Sequence, residues 1–128
     1  MRYTIIWKRS LKKVNKIYSL LGLAVRSRNA VSGSFATEKA VKSGRAAMVI
    51  VSKDASDNTV KMFRNMCSFY GAPIFRYGKK EELGHAMGKE ERAVLAVTDE
   101  GFARSIKKQL EAVEQEDGGS EHGENEST

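Results

Sequence analysis

The sequence predicts an α/β fold: a three-layer α/β/α sandwich around a small, mainly parallel or mixed central sheet. Three observations lead there. Short aliphatic runs such as Ala46–Val51 and Ala93–Val97 lack the polar alternation of a half-exposed strand, so both of their faces should be covered. Segments with apolar residues at three- and four-residue steps separate those runs, which is the period of a helix with one buried face. Turn and cap residues stand at the boundaries between them.

In chain order, Leu11, Val14, Ile17, Tyr18 and Leu21 mark a first amphipathic helix, with Ser10 as its N-cap and Lys12, Lys13 and Lys16 on the other face. Phe35, Ala36, Ala40 and Val41 mark a short second helix, closed by Gly44. Ala46–Val51 reads as a strand buried on both faces, and Asp54–Asn58 as turn and cap chemistry. Val60, Phe63, Met66, Cys67 and Tyr70 give a third helix, stopped by Gly71 and Pro73. Ile74–Tyr77 is a second strand, Leu83, Ala86 and Met87 mark a fourth helix ending at Gly88, and Ala93–Val97 is another buried strand. Asp99 then caps a last helix carrying Phe102, Ala103, Ile106, Leu110 and Val113. The division expected is an N-terminal extension at 1–9, one α/β/α domain at 10–115, and an acidic, disordered tail at 116–128, rich in Gly, Ser and Glu.

The 128 residues suffice for one core and not for two ordinary domains. Charge is divided unevenly. Seven acids and no Lys or Arg follow from Glu111 onward, so residues 1–110 hold the other nine acids and all 22 bases, a net +13 against +6 for the whole chain. Such a surface favours polyanionic partners. Cys67 is the only cysteine, which excludes an intrachain disulfide and suits a reducing compartment. No apolar run approaches the roughly 18 residues of a membrane span, and residues 1–9 do not read as a secretion signal. A cytoplasmic monomer without cofactor or membrane attachment is expected.

The chemistry concentrates in Gly33–Arg45, where a glycine turn runs into a helix start and cations follow. Unpaired backbone N–H groups at a helix N-terminus attract anions, and Lys39, Lys42 and Arg45, three residues apart, can share a face. Phe35, beside that turn, either packs inward as a staple or offers a ring for base stacking. Further cations stand at element ends: Arg26 and Arg28 after the first helix, and Arg76, Lys79 and Lys80 around the turn after the second strand. Enzymatic readings find little support. Gly84–Lys89 imitates a phosphate loop, but its glycines are one residue too close and Glu90 stands where Ser or Thr would hold magnesium. Asp54, Asp57 and Asn58 lack the glycine and closing Glu of a calcium loop. Cys67 lies on the apolar stripe of its helix, and no nucleophile–base pair or metal-ligand spacing is present.

Taken together, Leu20-Leu21-Gly22-Leu23-Ala24, Gly33 with Lys39-Ala40-Val41 and Gly44, Ala47–Val51 with Asp54-Ala55 and Asn58-Thr59, Cys67 with Ala72-Pro73, Glu82–Gly88, and Ala93–Asp99 resemble the L-seven-Ae superfamily of ribosomal and kink-turn RNA-binding proteins, most closely its small bacterial YlxQ-like branch. The resemblance covers roughly residues 14–110. It implies the same sandwich, and RNA binding by the turn–helix segment and the loop after Gly88. Kink-turn binders of that superfamily carry Asn-Glu after the glycine turn to read sheared G·A pairs. The matching positions here are Phe35 and Ala36, which have no side-chain donor or acceptor, so the base-reading role does not carry over. The expected RNA-binding set is therefore Arg28, Gly33, Ser34, Phe35, Lys39, Lys42, Arg45, Lys79, Lys89 and Arg92, acting on phosphates of ribosomal or kink-turn-like RNA. The alternative is an adaptor docking on ribosomal or translation proteins, with Phe35 as its anchor.

Overall fold

The computed structural model describes the backbone of residues 16–127 and the side chains of residues 16–113. Its strands alternate sides, and that alternation builds the layers. Along β2 (Met48–Val51) and β4 (Val94–Val97), Met48, Ile50, Leu95 and Val97 face one core, while Val49, Val51, Val94 and Ala96 face the other. The first core is covered by α1 (residues 16–26), α4 (Lys80–Ala86) and α5 (Glu100–Ser127) through Ile17, Leu21, Leu83, Ile106 and Leu110. The second is covered by α2 (Ser34–Lys42) and α3 (Asp57–Tyr70) through Ala40, Val41, Phe63 and Cys67. This is the α/β/α arrangement that the uniformly apolar runs required. The expected Ser10 cap and the Leu11 and Val14 positions, like residues 1–9, lie outside the described residues.

The sheet is the mixed one of the two arrangements expected. Its strand order is β1-β4-β2-β3, with β1 at Ala30–Ser32 and β3 at Ile74–Arg76. β2 pairs parallel with β3, whereas β4 pairs antiparallel with both β1 and β2. The cause lies after α4. The chain doubles back along that helix, the Lys89 amide donating to the Gly84 carbonyl (2.8 Å) and the Arg92 amide to the Lys80 carbonyl (3.0 Å). β4 therefore re-enters the sheet from the end that β3 left. Only glycine fits at the contact, because a Cβ on Gly84 would fall on the Glu90 carbonyl.

β1 was not expected. Three residues are too few to show a period, and this edge strand is held by its pairing, Ala30 to Val97 and Ser32 to Leu95. Helix ends follow ordinary capping. Ser56 Oγ accepts from the Thr59 amide at the start of α3 (3.2 Å), and Gly71 closes that helix in the left-handed region at φ 75°. Asp99 Oδ2 accepts from the Phe102 amide (2.8 Å), as its place before α5 suggested. The backbone of α5 runs from Glu100 to Ser127 and is anchored on the sheet by Ala103, Ile106 and Leu110.

Candidate nucleic-acid interface

The pairing register fixes which loops meet. At one end of the sheet Val51 stands opposite Val94, the Ser52 amide donates to the Ala93 carbonyl, and the Gly33 amide to the Val94 carbonyl. The Lys53 amide donates to the Gly78 carbonyl at the same end. The starts of α2, α3 and α4 thus gather on this Val94 rim, while α5 starts at the opposite, Val97 rim. Each helix N-terminus carries about half a positive charge on amides without an intrahelical acceptor.

Two of the three termini are satisfied internally. α3 has Ser56 as its cap and Asp57 in its first turn. At α4 the Lys80 amide donates to Asp54 Oδ1 (2.9 Å), which holds the Asp54 carboxyl below its ordinary value, and Glu81 and Glu82 follow in the first turn. The α2 terminus differs. Its N-cap is Gly33 at φ 96°, with no side-chain cap bond and no acid in the first turn. The first internal bond there is from the Thr37 amide to the Gly33 carbonyl (3.0 Å), so the amides of Ser34, Phe35 and Ala36 have no intrahelical acceptor.

Arg92 sits beside this open turn. Its Nε donates to Ser32 Oγ (3.1 Å) and its Nη1 to the Glu91 carbonyl (2.8 Å), and the side chain is half-buried. Ser32, Gly33, Ser34, Phe35, Glu91 and Arg92 line a shallow depression of about 420 Å³. A second one, of about 360 Å³, continues along the outer face of α2 and is lined by Phe35, Lys39 and Lys42 among others. The loop contributes little net charge, since Lys89 and Arg92 flank Glu90 and Glu91. The pull on an anion therefore comes from the α2 amides and from Arg92 as it is aimed, more than from the sign of the loop.

The other expected residues fall as follows. Lys79 directly precedes α4 on the Val94 rim, and Lys89 lies in the loop held against α4. Lys39 is exposed on α2, whereas Lys42 is engaged by Glu38 (2.8 Å), an exposed pair worth at most about 1 kcal/mol. Arg28 and Arg45 lie at the Val97 rim, beside Asn29 and Ala47, which bond Thr98 and Val97. Arg45 also lies beyond the end of α2, so it does not continue the helical face of Lys39 and Lys42. Phe35 does not pack inward: 81% of it is exposed. Thr37, Ala40 and Val41 supply the buried face of α2 instead, and Phe35 stands on the opposite side of the helix. Arg76 is structural, donating to the carbonyls of Ser52 (3.2 Å) and Lys53 (3.0 Å).

Sequence reasoning missed Ser32, which aims Arg92, and Asp54, which caps a helix 26 residues away. Neither contact is local, so neither leaves a spacing to find. It also missed the exposed pair Phe69 and Tyr70 at the end of α3, although adjacent residues on a helix point 100° apart and cannot both enter one core. Cys67 is buried, its thiol pushed up by burial, as a packing residue would be. Among the described residues no group of three or more His, Cys, Asp or Glu side chains could hold a metal ion, and no helix is long and apolar enough to cross a membrane.

Residues 15–107 match the family model described as the ribosomal protein L7Ae/L30e/S12e/Gadd45 family. The chain is 42% identical over 89 residues to the RNA-binding protein YlxQ of Bacillus subtilis (strain 168), an alignment covering 70% of this chain and 89% of the relative. It is 33% identical over 96 residues to the RNA-binding protein YlxQ of Enterococcus faecium, covering 75% of this chain and 92% of the relative. Among solved structures, a protein of unknown function from Bacillus halodurans superposes with a TM-score of 0.72 at 40% identity, over 75% of this chain and 97% of that one.

Proposed function

The chain belongs to the ribosomal protein L7Ae/L30e/S12e/Gadd45 family, and from that premise we propose that it is a non-enzymatic RNA-binding protein that holds structured RNA, ribosomal or kink-turn-like, by the Val94 rim. One observation carries the reading: of the three helix N-termini described there, only that of α2 lacks an internal cap and an acid. Its amides at Ser34, Phe35 and Ala36 receive a phosphate, as helix N-termini receive anions elsewhere. Arg92 adds a full charge and a planar fork suited to phosphate oxygens. Lys39 and Lys42 extend the contact along α2, with Arg45 at its far end, and Lys79 and Lys89 extend it along the rim. Arg28 stands too far around the sheet to share the same phosphate. Phe35, turned outward, offers its ring to an unstacked base, which RNA bulges and loops supply.

The test is a filter-binding titration against ribosomal RNA fragments across a salt series. Affinity should fall steeply with salt, and Lys39→Ala plus Arg92→Ala should weaken it about tenfold or more while flattening the salt slope by about two contacts. An unchanged affinity would place the site elsewhere. The exposure of Phe35 also suits a docking anchor for a ribosomal or translation protein. A partner that stays bound after nuclease treatment of a lysate, and is lost with Phe35→Ala, would favour that adaptor role.

A further inference from the structure

The geometry points to a second RNA contact, a stacking platform for a single-stranded segment formed by Phe69 and Tyr70 at the C-terminal end of α3 and reached along α2. This inference rests on the RNA-binding reading above and extends it to two rings, Phe69 and Tyr70, which that reading does not use.

Phe69 is 80% exposed and Tyr70 46%, and their rings meet edge to face at 4.9 Å and 79°. Two aromatic rings held open to water need a reason, since burying either would stabilise the fold by about 1.5–3 kcal/mol. A route joins them to the rim. Phe35, Lys39 and Lys42 stand at i, i+4 and i+7 of α2 and so form one outward stripe. α2 and α3 pack side by side in the same core, through Ala40 and Val41 of the one and Phe63 and Cys67 of the other. The surface thus runs from a ring through the free cation of Lys39 and the Lys42–Glu38 pair to the paired rings of Phe69 and Tyr70, a pattern that can hold a single strand by stacking and charge together.

The local field decides what part of the RNA sits there. α2 and α3 both present their C-terminal ends at the opposite, Val97 rim, and those ends are partially negative. Phosphate is not attracted by the backbone here, as it is at Gly33. The exposed Arg45 offsets the repulsion, Lys42 being paired with Glu38, and the attraction that remains is to the flat face of a base. A protein partner is less suited, because a stable interface buries about 800 Å² on each side. Met62, the only other large exposed apolar side chain on α3, is two helical turns from Tyr70. The nine residues of α2 span about 13 Å, the length of about four stacked nucleotides.

The experiment uses the full chain and two labelled probes in fluorescence anisotropy: a bare kink-turn hairpin, and the same hairpin with a single-stranded adenosine tail about twice that span, placed at either end. The tail should tighten binding about fivefold or more in at least one polarity, as one stacked base would. Phe69→Ala with Tyr70→Ala should abolish that gain and leave bare-hairpin affinity unchanged, and Phe69→Trp should keep it. Both side chains are exposed, so thermal melts of the variants should match the wild type. A tail that adds nothing, or a gain that survives the double substitution, overturns the platform while leaving the rim reading intact. Loss of a protein partner from nuclease-treated lysate with RNA affinity untouched would also overturn it in favour of protein docking. A wild-type chain that binds neither probe nor ribosomal RNA fragments would remove the rim reading and the platform together.

Discussion

Ser34→Asp should make the protein more stable and worse at binding RNA. Ser34 is the first residue of α2 and is exposed, and Asp57 occupies the same position in α3. The substitution therefore gives α2 what α3 already has. A carboxylate in the first turn interacts favourably with the helix dipole by about 0.3–1 kcal/mol. For a domain of this size that raises the melting temperature by about 1–4 °C. The same carboxylate would lie about 4 Å from a phosphate seated on the α2 amides. Repulsion there amounts to about 1 kcal/mol at the dielectric of water and about 4 kcal/mol at an effective value near 20. The affinity loss then falls between about fivefold and about a thousandfold. Ser34→Asn, with the same shape and no charge, separates repulsion from crowding. Thermal melts give the first sign, and anisotropy titrations at low salt, where screening is weak, give the second. Equal affinities for the Asp and Asn variants would refute the claim that the open turn receives the phosphate, whatever happens to stability.

Three further outcomes are expected. Gly84→Ala must push the Lys89–Arg92 loop off α4, because its Cβ meets the Glu90 carbonyl; it should cost about 1–3 kcal/mol in a denaturant melt and weaken RNA binding through displaced Arg92. The Asp54 carboxyl is held below its ordinary value of 3.8 chiefly by the Lys80 amide, so its contribution is complete above that pH and is lost as pH falls through the lower folded value. Asp54→Asn should accordingly flatten the acid limb of a melting-temperature profile and leave its neutral region parallel to wild type. Ending the chain after Val113 removes six acids and keeps Leu110 and Val113, which pack on the core. α5 starts at the Val97 rim and packs on the sheet through Ala103, Ile106 and Leu110, and the acids after Val113 carry charge opposite to that of the basic domain. Their removal should tighten RNA binding at low salt, and an unchanged titration would show that the tail does not compete.

What could be read beforehand divides along a physical line. Period and capping are local, so among the described residues the helices from α2 to α5 and three of the four strands were legible near their true positions. Phe63, Cys67, Ile106 and Leu110 could be assigned to the interior because helical spacing alone selects them. Sheet direction was legible only in part, since it depends on where a connection re-enters, and the return of residues 87–93 along α4 is set by close backbone packing at Gly84 and by the Arg92–Lys80 bond, neither of which has a periodic signature. The site shows the same limit. The turn at Gly33 and the cations after it were visible as sequence, but their grouping was not. Arg45 and Arg28 looked close to Gly33 in number and stand at the other end of the sheet, whereas Arg92, distant in number, is bonded to Ser32. Phe35 is the sharpest case, since a staple at the helix start and an outward ring give the same letter in the sequence.

The character of Phe35 and Ala36 bears on what kind of selectivity the proposed rim can have. A side chain that makes a bidentate bond to a base edge contributes about 1–3 kcal/mol of discrimination between bases. Neither residue can make one. A ring stacked on an unpaired base contributes about the same energy, yet every base has a flat face, so that energy discriminates little. Replacing readers by a ring can thus leave affinity nearly intact while sequence selectivity collapses. The remaining contacts, amides at one helix terminus and a guanidinium aimed by Ser32, are fixed in space by the fold. They are met together only by an RNA whose backbone brings phosphates to those points while a base is swung clear. On the proposed reading, selection would act on backbone shape. Point changes in paired regions that preserve the bend should then matter less than insertions that straighten it. A ranking of hairpin variants by affinity that followed base identity instead would contradict that account.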